Sequence, residues 1–395
     1  MKRHLSMLVV LFIAMALVVT GCQPAAPAGG GEPVAAGPGE AEPSGSEGEA
    51  LKAKIGIVVP LSGDVKTFGE STRDAALMAF EEAEGIEIEY VIADSKCDAQ
   101  EAFNAANKVI SEDGVSFIIG EVCSSASLPI SDLAEEFQVL QISPTSTSPA
   151  ITVNEDGSTK EYVFRACFLD PFQGEVMAAL ANEMGATKAA VLYDVGNDYV
   201  KGLAEYSRDS FIEMGGEVAV YEAYTKDDTD FSGILGKVAA ADVDVIFLPD
   251  YYPKVNLIAA QIQERGIEAL LVGGDGWDSP ELQLDLLDGG YFSNHYSPYE
   301  ERDVVQNFVN TYREKYGATP DALAALAYDA TRILIQSIKD ANSTDPSVVK
   351  DAMAAISYEG ISGVITYDEQ HNPVKKAAVM KVEDGQVVFY KFVAP

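Results

Sequence analysis

The chain has 395 residues, with 62 Asp and Glu against 27 Lys and Arg, for a formal net charge of −35. Such an acidic excess argues against nucleic acid and anionic membrane surfaces as partners. The length suits two domains beyond a leader.

The chain opens on Lys2-Arg3-His4 and an apolar run from Leu8 to Val19. That run is too short to span a bilayer and fits the core of a signal peptide. It ends in Val19-Thr20-Gly21-Cys22, which resembles the lipobox of bacterial lipoproteins, where the cysteine is acylated. Residues 1–22 therefore read as a lipoprotein signal peptide, with Cys22 as the lipidation site. Gln23 to Ala50 holds Pro, Gly, Ala, Ser and Glu but no Lys, Arg or aromatic residue. Such a segment cannot bury enough apolar surface to offset its ordering entropy, so 23–50 is expected to be a disordered acidic tether.

From Lys54 onward, strands and helices alternate. Strand Ile55 to Val59 precedes a helix over 69–82, and strand Ile86 to Ala93 precedes a helix over 99–111. Strands Val115 to Gly120 and Val139 to Ile142 flank a helix expected over 128–137. A second run follows from Pro171: helix 172–184, strand 189–193, helix 199–214, strand 217–224, helix 231–240, strand 243–248, helix 255–265 and strand 269–272. Two long amphipathic helices, 304–316 and 321–338, precede a closing β-hairpin over 378–392. The repeated βαβα order predicts an α/β chain with two doubly wound parallel sheets.

Two polar loops follow buried strands: Cys123-Ser124-Ser125, and Ser143-Pro144-Thr145-Ser146-Thr147. In open α/β sheets, ligands bind outside the carboxyl ends of the strands. Hydroxyls and backbone N–H groups without charge suit a small carboxylate. Ser124 and Thr147 taken alone also fit helix caps and turns. Cys97 and Cys123 each follow a parallel strand at the same edge, so a disulfide between them is expected. Cys167, within Phe164-Arg165-Ala166-Cys167-Phe168, reads as a buried free thiol.

The body is similar to periplasmic binding proteins of the branched-chain amino acid transport type. The likeness rests on Pro60-Leu61-Ser62-Gly63 with Phe68-Gly69, Asp94-Ser95-Lys96-Cys97-Asp98, Gly120-Glu121-Val122-Cys123-Ser124-Ser125, Ile142-Ser143-Pro144-Thr145-Ser146-Thr147 and Phe172-Gln173-Gly174. It implies two lobes joined by three crossovers near 168–171, 296–300 and 366–372. The amino-terminal lobe would comprise 51–169 and 299–367, and the carboxy-terminal lobe 170–298 and 368–395. It also implies residue roles. Ser124 and the Thr147 N–H would hold a ligand carboxylate. The Thr147 hydroxyl and the Thr145 carbonyl would accept from its ammonium. Tyr199 and Tyr251 would be second-lobe contacts, and Asp275 would pair with the ammonium in a position where the family often has Glu. Phe68 and Trp277 would shape the side-chain pocket.

The resemblance implies a lipid-anchored, extracytoplasmic monomer that hands an amino acid to the permease of an ABC importer, with no cofactor and no metal. The residues hold no Gly-x-Ser-x-Gly elbow, Walker A loop or His-Glu-x-x-His pattern, so an enzyme is disfavoured. His295 and His371 fit no ligand spacing. The alternative is a sensor or receptor for another small carboxylate or amide metabolite.

Overall fold

The computed structural model describes residues 51–395; the signal peptide, Cys22 and the acidic tether lie outside the described residues. The first lobe begins with β1 (Leu51–Val59), α1 (Lys66–Glu81), β2 (Ile86–Asp94), α2 (Ala99–Ser111), β3 (Phe117–Gly120), α3 (Ser124–Phe137), β4 (Leu140–Ser143) and β5 (Val163–Arg165). Its five strands lie in the order β2-β1-β3-β4-β5, all parallel. β3 and β4 are wholly buried, as strands covered on both faces must be, with Gln141 and Ser143 the polar residues of β4.

The second lobe contains α4 (Asp170–Glu183), β6 (Lys188–Asp194), α5 (Asp198–Glu213), β7 (Glu217–Tyr224), α6 (Ser232–Ala241), β8 (Val245–Phe247), α7 (Tyr252–Glu264), β9 (Leu270–Gly273) and β10 (Tyr291–Asn294). The chain then returns to the first lobe with α8 (Asp303–Tyr316), α9 (Ala322–Ala341), α10 (Pro346–Ala354) and the hairpin β11 (Ser357–Gly360) and β12 (Gly363–Thr366). It ends in β13 (Ala377–Glu383) and β14 (Gln386–Val393), which join the second sheet antiparallel. That sheet runs β14-β13-β10-β9-β8-β6-β7. The chain thus passes between the sheets three times.

Strand order fixes where a ligand can sit. In the first sheet β1 has β2 on one side and β3 on the other, and in the second β6 lies between β7 and β8. Connections leave in opposite directions at both points, and the strand ends there frame a crevice. Cys97, just past β2, and Cys123, just past β3, are joined as a disulfide with Cα atoms 5.6 Å apart. The bridge spans 26 residues and contributes roughly 3.5 kcal/mol in the chain-entropy account. Cys167 is free and buried, and burial pushes its thiol up to about 12.

The structure moves one boundary that matters. α3 begins at Ser124, not at Leu128. Four serines and Pro129 in its first eight residues disguise the helix, because Ser and Pro are poor helix formers. Ser131 Oγ bonds back to the Ser127 carbonyl at 2.9 Å, and Ser127 shares a 2.5 Å hydrogen bond with Ser146 on the neighbouring loop.

Candidate functional site

The two strand-order reversals face each other across a cavity with about 290 Å³ of space not filled by protein atoms. First-lobe walls come from Phe68, Val122, Ser124, Thr145 and Leu323, and second-lobe walls from Tyr199, Tyr251, Asp275 and Gly276.

On the first lobe, Ser124 is the first residue of α3, and the opening N–H groups of a helix have no partner within it. With the helix dipole they form a seat for an anion. Ser124 Oγ accepts the Ser148 N–H at 3.3 Å, which ties the two polar loops together. Thr145 spends its hydroxyl proton on the Val122 carbonyl at 3.1 Å. Thr147 is set back from the cavity wall. Its carbonyl accepts the Asp170 N–H at 3.0 Å, and its hydroxyl makes no well-formed hydrogen bond. Phe68 reaches the cavity because Gly69 lets α1 close on the preceding loop: a Cβ at Gly69 would lie 1.8 Å from the Pro60 carbonyl oxygen.

On the second lobe, Asp275 follows β9 and is almost enclosed. Its Oδ1 accepts from Gln173 Nε2 at 2.8 Å and from the Tyr199 hydroxyl at 2.9 Å. Its Oδ2 lies 3.0 Å from His295 Nε2. Burial alone would raise this carboxyl, but hydrogen bonding to His295, Gln173 and Tyr199 holds it below the ordinary aspartate value. It is therefore ionised at neutral pH. Tyr199 also accepts the Gly276 N–H at 3.2 Å, so its only proton is committed to Asp275 and it cannot donate to a ligand. Tyr199 and Tyr251 stack at 5.2 Å with planes 4° apart, and Phe68 meets Tyr251 edge-on at 5.7 Å.

Trp277 does not shape the pocket. It is fully buried in the second lobe, and its indole N–H donates to the Leu248 carbonyl at 3.0 Å. A ring that large gains more from complete burial with its one donor satisfied than from lining a narrow cleft. Its place is taken by Val122 and Leu323. Nothing marked Leu323 in the sequence, since it looks like one more apolar residue of a long amphipathic helix. Gln173 stood in a recognisable motif but had no assigned role. His295 carried no sequence signal beyond being a histidine after a short strand.

Contacts cross the cleft beyond the cavity. The Ser125 hydroxyl accepts the Asp198 N–H at 2.9 Å, and Thr67 Oγ1 meets both the Tyr252 hydroxyl and Ser279 Oγ at 3.1 Å. Asp278 Oδ2 of the second lobe accepts the Ala322 N–H at the start of α9 at 2.8 Å. Among the described residues, no group of three or more His, Cys, Asp or Glu is placed to hold a metal ion.

The periplasmic binding protein family model matches residues 52–386. The chain belongs to that family. It is 30% identical over 326 residues to the leucine-, isoleucine-, valine-, threonine- and alanine-binding protein of Pseudomonas aeruginosa, covering 80% of this chain and 86% of the relative. A leucine-binding protein from Thermotoga maritima superposes with a TM-score of 0.82 at 35% identity, over 87% of this chain and 99% of that one. A branched-chain amino acid transporter substrate-binding protein from Streptococcus pneumoniae, solved with isoleucine, gives 0.81 at 29% identity, over 87% and 100%. The two-lobed fold is thus shared with proteins of clear sequence kinship.

Proposed function

We propose that the chain is the extracytoplasmic solute-binding component of an ABC importer and captures an aliphatic amino acid between its closing lobes. One observation carries the reading: an ionised, nearly enclosed Asp275 faces the amino end of α3 across a small cavity with apolar walls. A zwitterion loses hydration at both ends on burial and binds only where both charges are met. The α3 N–H groups and Ser124 meet the carboxylate. Asp275 Oδ2, which has one internal partner where Oδ1 has two, meets the ammonium. Phe68, Val122, Tyr251 and Leu323 surround an aliphatic side chain. The names of relatives that bind leucine, isoleucine and valine support the same class.

The protein catalyses no reaction in this reading. Its partners are the ligand and the permease, and it acts as a monomer tethered through acylated Cys22 at the outer face of the cell membrane. Thr147 supports the Thr145 loop and contributes its backbone N–H to the carboxylate seat.

Titration calorimetry with L-leucine tests the assignment. Asp275→Asn keeps the shape but removes the charge. It should weaken binding by about two decades, on the order of 3 kcal/mol, because a buried ammonium is left uncompensated. Ser124→Ala should cost less, roughly 1–2 kcal/mol, because backbone donors remain. Leucine affinity in Asp275→Asn within threefold of the parent protein would rule out ammonium recognition by this residue.

A further inference from the structure

His295 stands directly behind the carboxylate that faces the ligand. It follows β10 at the second crossover, is 2% exposed, and stacks on Phe168 at 3.8 Å between ring centroids. Its Nε2 lies 3.0 Å from Asp275 Oδ2, while its Nδ1 makes no hydrogen bond. An ionised carboxylate only accepts, so Nε2 carries the proton and Nδ1 is a bare, buried acceptor in the neutral ring.

We propose that His295 is a positioning residue for ligand capture: its Nε2–H holds Asp275 Oδ2 toward the cavity, and a proton taken up at Nδ1 competes with the ligand ammonium for the Asp275 charge, so that acid weakens binding. The inference rests on the reading of Asp275 as the ammonium's partner. The atoms balance simply. A proton from solvent adds to Nδ1, the ring becomes an imidazolium, and both N–H groups and the positive charge then belong to His295. The carboxylate that would have been matched by a ligand cation is matched from behind instead. Gln173 and Tyr199 continue to occupy Oδ1 in either state, so the change falls on Oδ2.

The surroundings set the direction. Burial lowers the readiness of His295 to take a proton, and the contact with Asp275 raises it, with burial the larger effect. The ring is therefore neutral at neutral pH and the site is ready for a cation. Lys375, buried ahead of β13, opposes the imidazolium. From α4, Asp170 lies near Asp275, but burial pushes its carboxyl up to about 8, so it is neutral at pH 7 and adds no competing charge. At the first crossover, Cys167 is a neutral thiol for the same reason. Tyr199 and Tyr251 stay protonated, both pushed well up by burial. Asp278, on the same loop as Asp275, is raised by burial, and Asp321 of the first lobe is pushed up to about 7 by burial and by the nearby Asp278. Asp250, beside the cavity residue Tyr251, is likewise pushed up to about 7 by burial, so Asp250 and Asp321 also change charge in the same pH range.

By linkage, if a proton on His295 weakens the ligand, the ligand must equally weaken the proton. Two measurements on the full protein use this. Calorimetric affinity for L-leucine between pH 7.5 and 5 should fall roughly tenfold in the parent protein. In His295→Gln, whose amide keeps a donor toward Oδ2 but cannot titrate, leucine should bind a few-fold more weakly at pH 7.5 and the acid limb should disappear. His295→Leu, with no donor, should lose more affinity than His295→Gln at pH 7.5. Independently of any variant's folding, the ¹⁵N spectrum of the parent protein should show the Nε2–H form of His295, and its pKa should fall when leucine is added. The chain has only three histidines, which makes the resonance assignable.

An acid limb unchanged in His295→Gln would assign it to the buried carboxyls around the site, Asp250 and Asp321 among them, and overturn the proposal. So would a His295 pKa that leucine leaves in place. The underlying reading fails separately: 4-methyl-2-oxopentanoate, which is leucine with a keto group for its amine, should bind at least tenfold more weakly. If it binds as tightly as leucine, Asp275 does not recognise an ammonium and both ideas fall. If it binds weakly while His295→Gln keeps the acid limb, only the role of His295 falls.

Discussion

Gly273 shows how closely the second-lobe side of the site is built. A Cβ there would sit 2.0 Å from Trp277 Cε2, and the indole ring is fully enclosed with its N–H committed to Leu248. The ring cannot swing aside without losing that hydrogen bond, so the backbone carrying Asp275 would move. Gly273→Ala should therefore lower Tm by about 3–4 °C, for a cost of order 2–3 kcal/mol, and also weaken leucine binding. Calorimetry reads both; a variant with unchanged Tm would show that the ring has room. The same residues explain what could be read beforehand. The Gly273-Gly274-Asp275-Gly276-Trp277 run marked a loop at a strand end, and an acid there stood out. Trp277 looked equally exposed to the cleft, because a linear motif does not say which of two neighbours turns inward. Gln173 and His295 come from two other elements, 102 and 20 residues away. Only the packing of α4 and β10 around β9 brings them to Asp275.

Helix α9 ties the third crossover to the ligand cavity. Its first turn carries Leu323 into the cavity wall, and its middle carries Asp329 into a buried cluster. Asp329 accepts the Ile361 and Ser362 N–H groups at 2.7 and 2.8 Å, holding the turn between β11 and β12, and also takes the Ser362 hydroxyl. Ser362 Oγ in turn accepts from Lys375, whose ammonium donates to the Ala166 carbonyl at 2.9 Å as well. A carboxylate, a hydroxyl and an ammonium thus join a first-lobe helix to the segments that pass between lobes. Asp329→Ala strands two backbone donors and leaves Lys375 without its buried counter-charge. It should cost about 3–5 kcal/mol, measured by urea unfolding; a loss below about 1 kcal/mol would mean water replaces the carboxylate. The α9 helix was legible because Leu326, Ala330, Ile333, Leu334 and Ile338 share one face. The β11–β12 hairpin was not. Its strands are four residues each, half polar, and held by Asp329 rather than by their own apolar pattern. The start of α3 was hidden in the same way, behind serines whose hydroxyls are engaged by the neighbouring loop.

Across the whole molecule, buried acids and surface charge push stability in one direction with pH. Burial lifts the carboxyls of Glu121 and Asp170 to about 8 and that of Asp250 to about 7. Each lies above the value the same group has in an unfolded chain, so the folded state holds more protons between about pH 4 and pH 8. Their contribution is complete below the ordinary carboxylate range and is lost as pH rises through 7 to 8. His295 and His371 act oppositely, since burial lowers both and the folded state holds fewer protons near their usual value. Two histidines stand against three carboxyls raised to about 7 or 8, and the carboxyls prevail. Exposed acids held low by hydrogen bonds, such as Asp228 and Asp244, change charge only at lower pH and do not enter this window. Repulsion among the surplus acids, for a net charge of −35, adds to the same slope because acid removes part of it. The protein should therefore melt roughly 5 °C or more higher at pH 5.5 than at pH 8. Salt separates the two causes. Surface repulsion is screened at high ionic strength, whereas ionisation of a carboxyl sealed behind Tyr224 or Ser95 is not. Scanning calorimetry at about 0.05 and 1 M NaCl should thus leave most of the pH difference in place. If salt abolishes it, the surface alone sets the slope; if Tm falls on acidification, the buried carboxyls are ionised in the folded protein.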